Sequence, residues 1–97
     1  MRPGTVAHAG AGKLNVARAL HQQGRLDQAE AIYKEVLQAQ PQHFDALRLL
    51  ATIAAQRLNS KAAVALFEQA LAINPDHAGA LNNRGNALRD LARHEQA

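Results

Sequence analysis

Residues of the types that do chemistry are few in this sequence, and their spacing decides against most of the chemistry they suggest. Gly10-Ala11-Gly12-Lys13 has the glycines and lysine of a phosphate-cradling loop. Such a loop also needs a glycine five residues before the Gly-Lys glycine, a Ser or Thr after the lysine, and a preceding strand. Ala7 and Leu14 hold those two places and no strand pattern precedes them, so phosphate binding is not expected. There are five histidines, His8, His21, His43, His77 and His94. A metal site needs several ligands that converge. His43 and His77 lie 34 residues apart, Asp76-His77 alone is no site, and the histidines read as surface or capping residues. No metal and no cofactor is expected. Ser60 is the only serine and reads as a helix cap, while Asp27 and Glu30 share one helix start, where capping and the helix dipole account for their charge. With no Ser/His/Asp or paired-carboxylate spacing, the chain is not expected to be an enzyme.

The elements that must carry any site repeat. Ala29 to Pro41 returns as Ala63 to Pro75, with Ala29 matched to Ala63, Ala31 to Ala65, Tyr33 to Phe67, Leu37 to Leu71 and Pro41 to Pro75, each at an offset of 34. A fixed period of that length with helical patterning is the signature of stacked helix pairs. Residues 1–9, with Pro3 and Gly4, show no periodicity and read as a flexible lead. A first helix is expected from about Ala11 to Gln23, with Val16, Ala17 and Leu20 apolar at helical spacing and Gly24 as its stop. Asp27 and Glu30 suit a capping box for the second helix, which Pro41 ends. The third is expected over about Phe44 to Arg57. A turn at Leu58-Asn59-Ser60 follows, in which Asn59 takes the left-handed place and Ser60 caps. The fourth runs to about Ile73, before Asn74-Pro75-Asp76, and the fifth over about Ala78 to Leu91. Ala97 falls just inside a sixth helix, so the third repeat is halved and the chain reads as the start of a longer array.

Composition agrees with this layout and bounds the function. The chain has 97 residues, enough for one small domain, with 47% apolar and 20% charged residues. Alanine and leucine dominate, and Tyr33, Phe44 and Phe67 are the aromatics. Without cysteine there is no disulfide and no thiolate metal site. No apolar run has signal-peptide or membrane-spanning length, so a soluble cytoplasmic protein with no membrane partner is expected. Eleven Lys and Arg against eight Asp and Glu give a formal charge of +3, scattered rather than in blocks. Solvated helix faces account for it better than a nucleic-acid surface.

Two helices per 34 residues, small residues at helix crossings, an aromatic in the second helix and a closing proline together resemble the tetratricopeptide repeat. The resemblance covers about residues 10–97, as repeats 10–43, 44–77 and a truncated 78–97. Small residues stand midway along the first helices at Ala17, Ala51 and Gly85, and early in the second at Ala29, Ala63 and Ala97. Tyr33, Phe67, Pro41 and Pro75 match the family's aromatic and proline places, and Gly24 the turn. A larger residue at a crossing would force the helices apart. Lys13 and Arg84 stand where the family prefers apolar residues, and Leu58 stands where Gly24 does in the first repeat. The segment from Ala80 to Ala97 is also similar to repeats of bacterial tetratricopeptide proteins, including those joined to O-GlcNAc-transferase-like (SPINDLY-type) glycosyltransferases.

The resemblance implies an all-α, right-handed superhelical stack of antiparallel helix hairpins, about two and a half repeats long. Its function would be display of a concave groove to a protein or extended peptide. Carried over to this chain, the groove positions are Leu14, Asn15, Arg18, His21 and Gln22 in the first repeat. The second gives Arg48, Leu49, Thr52 and Gln56, and the third Asn82, Asn83, Asn86, Arg89 and Asp90. Amides donate and accept as a peptide unit does, so they suit an extended backbone. Arg18, Arg48 and Arg89 would favour an acidic peptide. Leu14 and Leu49 replace the residues of the family's carboxylate clamp. Two competing readings are substrate recognition for a linked glycosyltransferase and nucleic-acid binding by a helical repeat. Leu81 and Leu88, without a sixth helix, imply pairing with a second copy.

Overall fold

The computed structural model describes residues 3–96, with side chains over 12–95. Five α-helices fill the described residues: α1 (Pro3–Gln22), α2 (Leu26–Ala39), α3 (Phe44–Gln56), α4 (Ser60–Ile73) and α5 (Ala78–Gln96). The all-α class and the two and a half helix pairs are as the period requires. The chain divides into two compact units, one ending at Pro41 and one beginning at Gln42.

The first unit is the hairpin α1–α2. Its core is Leu14 and Ala17 from α1 with Ala29, Tyr33 and Val36 from α2. Ala17 and Ala29 are fully buried, as helices in close approach require. The turn is a Schellman motif. Gly24 adopts φ +80°, its N–H donates to the His21 carbonyl at 3.0 Å, and the Arg25 N–H donates to the Leu20 carbonyl at 2.9 Å. Lys13 Nζ lies 3.5 Å from Glu35 Oε1, tying α1 to α2 by a pair exposed enough to contribute little.

The second unit packs α4 against both α3 and α5. Ala51, Ala63, Val64, Phe67 and Ala87 form one buried cluster, with Ala54, Ala55, Leu66 and Leu91 at its edge. Leu47, Leu50 and Ile53 complete the buried face of α3. The α3–α4 turn repeats the Schellman bonds of the first: Leu58 N–H donates to the Ala55 carbonyl at 3.0 Å and Asn59 N–H to the Ala54 carbonyl at 2.8 Å.

Several details differ from the sequence expectation. Helix α1 begins at Pro3, not near Ala11, so residues 3–9 are helical. Proline suits a first helical position, where its missing N–H costs nothing. At α2, Arg25 rather than Asp27 holds the cap position, with no side-chain cap bond, and Asp27 lies in the first turn, where its charge complements the helix dipole. Glu30 Oε2 pairs with Lys34 Nζ at 3.5 Å, one helical turn on. At the second turn the left-handed residue is Leu58, φ +62°, not Asn59. Asn59 is instead the cap, its side-chain oxygen accepting from Ala62 N–H at 3.4 Å, and Ser60 is buried as the first helical residue. Finally, α5 runs past Leu91 to Gln96. Val16, counted among the apolar stripe of α1, is exposed. The groove position Leu14 is buried in the core. The last small-residue position, Ala97, lies outside the described residues.

Candidate functional site

The structure places the residues whose types suggested chemistry on helices and at helix caps. Gly10 to Lys13 lies inside α1, so its backbone N–H groups are not splayed toward a phosphate as a loop's would be. Among the described residues no group of three His, Asp or Glu is placed to hold a metal ion. Two histidines are caps. His43 Nδ1 accepts from Ala46 N–H at 3.2 Å and His77 Nδ1 from Ala80 N–H at 3.0 Å, the same bond in successive repeats. His21 Nδ1 lies 3.4 Å from the hydroxyl of fully buried Tyr33, with the rings edge to face, so this candidate groove residue is tied to α2. The side chain of His8 lies outside the described residues.

A cavity of about 240 Å³ opens in the second unit, lined by Thr52, Ala55 and Gln56 from α3, Phe67 from α4, and Asn83, Asn86, Ala87 and Asp90 from α5. Helical spacing explains the set: 52, 55 and 56 share one face of α3, as 83, 86, 87 and 90 share one face of α5. Phe67 and Ala87 are buried and form the floor. Gln56 and Asn86 are exposed at the rim, with Thr52, Asn83 and Asp90 half-buried between.

Hydrogen bonds fix what these groups can offer. Thr52 Oγ1 donates to the Arg48 carbonyl at 3.0 Å, so its hydroxyl faces the cavity as an acceptor. Asn86 Oδ1 accepts from Arg89 Nη2 at 2.8 Å, so the group Asn86 has left to offer is its amide nitrogen, a donor. The site therefore presents a small apolar floor under a rim of donors and acceptors.

Of the residues placed in the groove from sequence, Thr52, Gln56, Asn83 and Asn86 are brought together here, along with Asp90. Arg48 is not among them. It pairs with Asp45 at 3.2 Å and lies over Phe44, 5.9 Å from the ring centroid, and Phe44 in turn packs on the His77 ring at 5.0 Å. Arg89 is engaged by Asn86 outside the lining, and Asn82 is exposed on α5 without lining it. Asn15, Arg18 and Gln22 belong to α1 in the first unit, where Arg18 is half-buried and the two amides are exposed. The apolar floor was missed in the sequence. Phe67 reads there as scaffold alone, although an aromatic of a second helix must lie beneath the first helices that flank it.

A family profile described as the tetratricopeptide repeat matches residues 10–76, and a second profile of the same description matches residues 66–97. No protein of curated function matches the chain. No helix among the described residues is long and apolar enough to cross a membrane. Repeating helix pairs, small residues at the crossings and the two profile matches agree, and the chain belongs to the tetratricopeptide repeat family.

Proposed function

We propose that the chain is a protein-interaction module and that the α3–α5 cavity holds an extended segment of a partner protein. The observation that carries this is the meeting of Thr52, Gln56, Asn83 and Asn86 around one apolar-floored cavity. Asn86 keeps an amide N–H to donate to a backbone carbonyl and Thr52 a hydroxyl oxygen to accept from a backbone N–H, the two bonds a peptide unit requires. Neither needs a particular side chain, so the groove tolerates many sequences. The test is a peptide array probed with the full chain and with Asn83→Ala and Asn86→Ala. Each substitution should weaken the peptides that bind about tenfold, the loss of one to two buried hydrogen bonds. Intact binding by both variants would show that the groove lies elsewhere.

A second surface favours self-association. Leu81 and Leu88 are 40% and 42% exposed on α5, and nothing lies within 4 Å of the place a Gly85 side chain would fill. These residues make one helical stripe of the kind that pairs with a second copy. Light scattering at rising concentration should show the mass approach twice that of the monomer, and Leu81→Glu with Leu88→Glu should hold it at one. A strictly monomeric mass at high concentration would count against pairing.

A further inference from the structure

The cavity carries a charge opposite to that of the chain. Asp90 alone among its eight lining residues has a formal charge, while the protein as a whole carries +3. Resting on the groove reading above, we propose that the cavity selects a basic side chain, a lysine, within the extended segment it holds.

Size, polarity and charge agree on this occupant. At about 240 Å³ the cavity is smaller than the roughly 300–1,000 Å³ of small-molecule sites and suits one long side chain. Ala55 with the aliphatic parts of Thr52 and Gln56 offers apolar contact to the methylene stem of a lysine, over a base closed by buried Phe67 and Ala87. The half-buried Asp90 carboxylate receives the ammonium at the wetter end, as a charge-assisted hydrogen bond in a partly desolvated place. A leucine would make no ion pair with Asp90, and a glutamate would bring two carboxylates together.

The neighbouring cations do not cancel this preference. Arg48 on α3 is compensated by Asp45 at 3.2 Å. Arg89 is held by Asn86 and lies outside the lining. Arg93 Nη1 stands 3.8 Å from Asp90 Oδ1, but its side chain is largely exposed, so a lysine seated in the cavity displaces a loose competitor. The scattered net charge acts at long range and is screened beyond about 8 Å at physiological salt, while Asp90 acts at contact. The sequence reading of Arg18, Arg48 and Arg89 as a preference for acidic peptides is therefore replaced by the opposite one at this cavity.

The test uses the isotope-labelled full chain and three capped nonapeptides of glycine, serine and alanine that differ only in a central Lys, Leu or Glu. Dissociation constants are read from the side-chain amide resonances of Asn83 and Asn86. The Lys peptide should bind about tenfold more tightly than the Leu peptide, and the Glu peptide most weakly. Asp90→Asn should remove the Lys advantage over the Leu peptide, Asp90→Glu should keep it, and Arg93→Ala should enlarge it. Equal shifts from all three peptides would preserve the groove and overturn the lysine assignment. Tighter binding of the Glu peptide, or an undiminished Lys advantage in Asp90→Asn, would also overturn it. No shift from any peptide would overturn both the assignment and the groove.

Discussion

Helices α3 and α5 hold the same place in successive repeats, so Leu47 corresponds to Leu81, Leu50 to Arg84 and Ala51 to Gly85. Their surroundings differ. Leu47 and Leu50 are 3% and 7% exposed beneath their neighbours, whereas Leu81 and Leu88 stand at 40% and 42%. The face that α5 does bury is made of Ala80 and Ala87. An apolar stripe in a repeat thus marks a face able to pack, and the helix laid across it decides whether the stripe stabilises the fold or remains a surface. Arg84 shows the same logic. At the place of buried Leu50 it keeps its stem half-buried, and its Nε is out of water with no partner among the described residues.

The comparison breaks most readily at the leucines. Leu47→Ala removes a fully packed side chain and should cost about 2–5 kcal/mol in urea unfolding. Leu81→Ala, at the matching place, removes a side chain still in contact with water and should cost about 1 kcal/mol or less. Equal losses at high protein concentration would mean that α5 is covered in solution, which a dilution series would separate from a monomer effect. Phe67→Ala should fall with Leu47, at about 3–5 kcal/mol, because Phe67 has no exposed surface and closes the cavity floor.

The crossing residues sharpen the comparison with opposite signs. Ala51 is fully buried, and Ala51→Leu should cost about 1–3 kcal/mol by overpacking. Gly85 stands at the same place in α5, where an added Cβ meets nothing within 4 Å. Gly85→Ala should therefore stabilise by about 0.5–1 kcal/mol, the ordinary gain of replacing a glycine inside a helix. A loss in place of that gain would reveal a helix packed against Gly85.

How far the sequence discloses this arrangement depends on the kind of information needed. The period, the five helices and the buried alanines at 17, 29, 51 and 63 are readable because each repeats at a fixed offset and each has one physical cause. The caps at His43 and His77 are readable in outline for the same reason. The cavity is only half readable. Thr52, Gln56, Asn83 and Asn86 are implied by the resemblance to the family, but the floor depends on how α4 seats Phe67 between two other helices, which no local pattern states. The acidic preference inferred from arginines counts charges without their partners, and Arg48 is already paired with Asp45. Local propensity misleads in another way at the second turn, where asparagine is the better left-handed residue in isolation. The period places Leu58 at Gly24's position, and the packing of α4 on α3 holds it there.

That turn yields the smallest and most specific contrast, since the same place occurs three times. Gly24 and Leu58 both adopt positive φ within the same pair of Schellman hydrogen bonds, but Ala92, the third equivalent, continues α5 as a helical residue. A branched side chain in the left-handed region costs about 1–2 kcal/mol relative to the right-handed one, and Leu58, 69% exposed, recovers little of it through burial. Leu58→Gly should therefore stabilise by about 1 kcal/mol, less the greater freedom that glycine gives the unfolded chain. Ala92→Gly, the same replacement as read by the period, should destabilise by about 1 kcal/mol because it puts glycine inside a helix. Urea unfolding of the two variants beside the parent chain reads both signs. Stabilisation by both would mean that residue 92 also turns left-handed in solution and that α5 stops where α3 does. Destabilisation by both would mean that Leu58 carries little strain, and that its side chain makes contacts whose loss outweighs the relief.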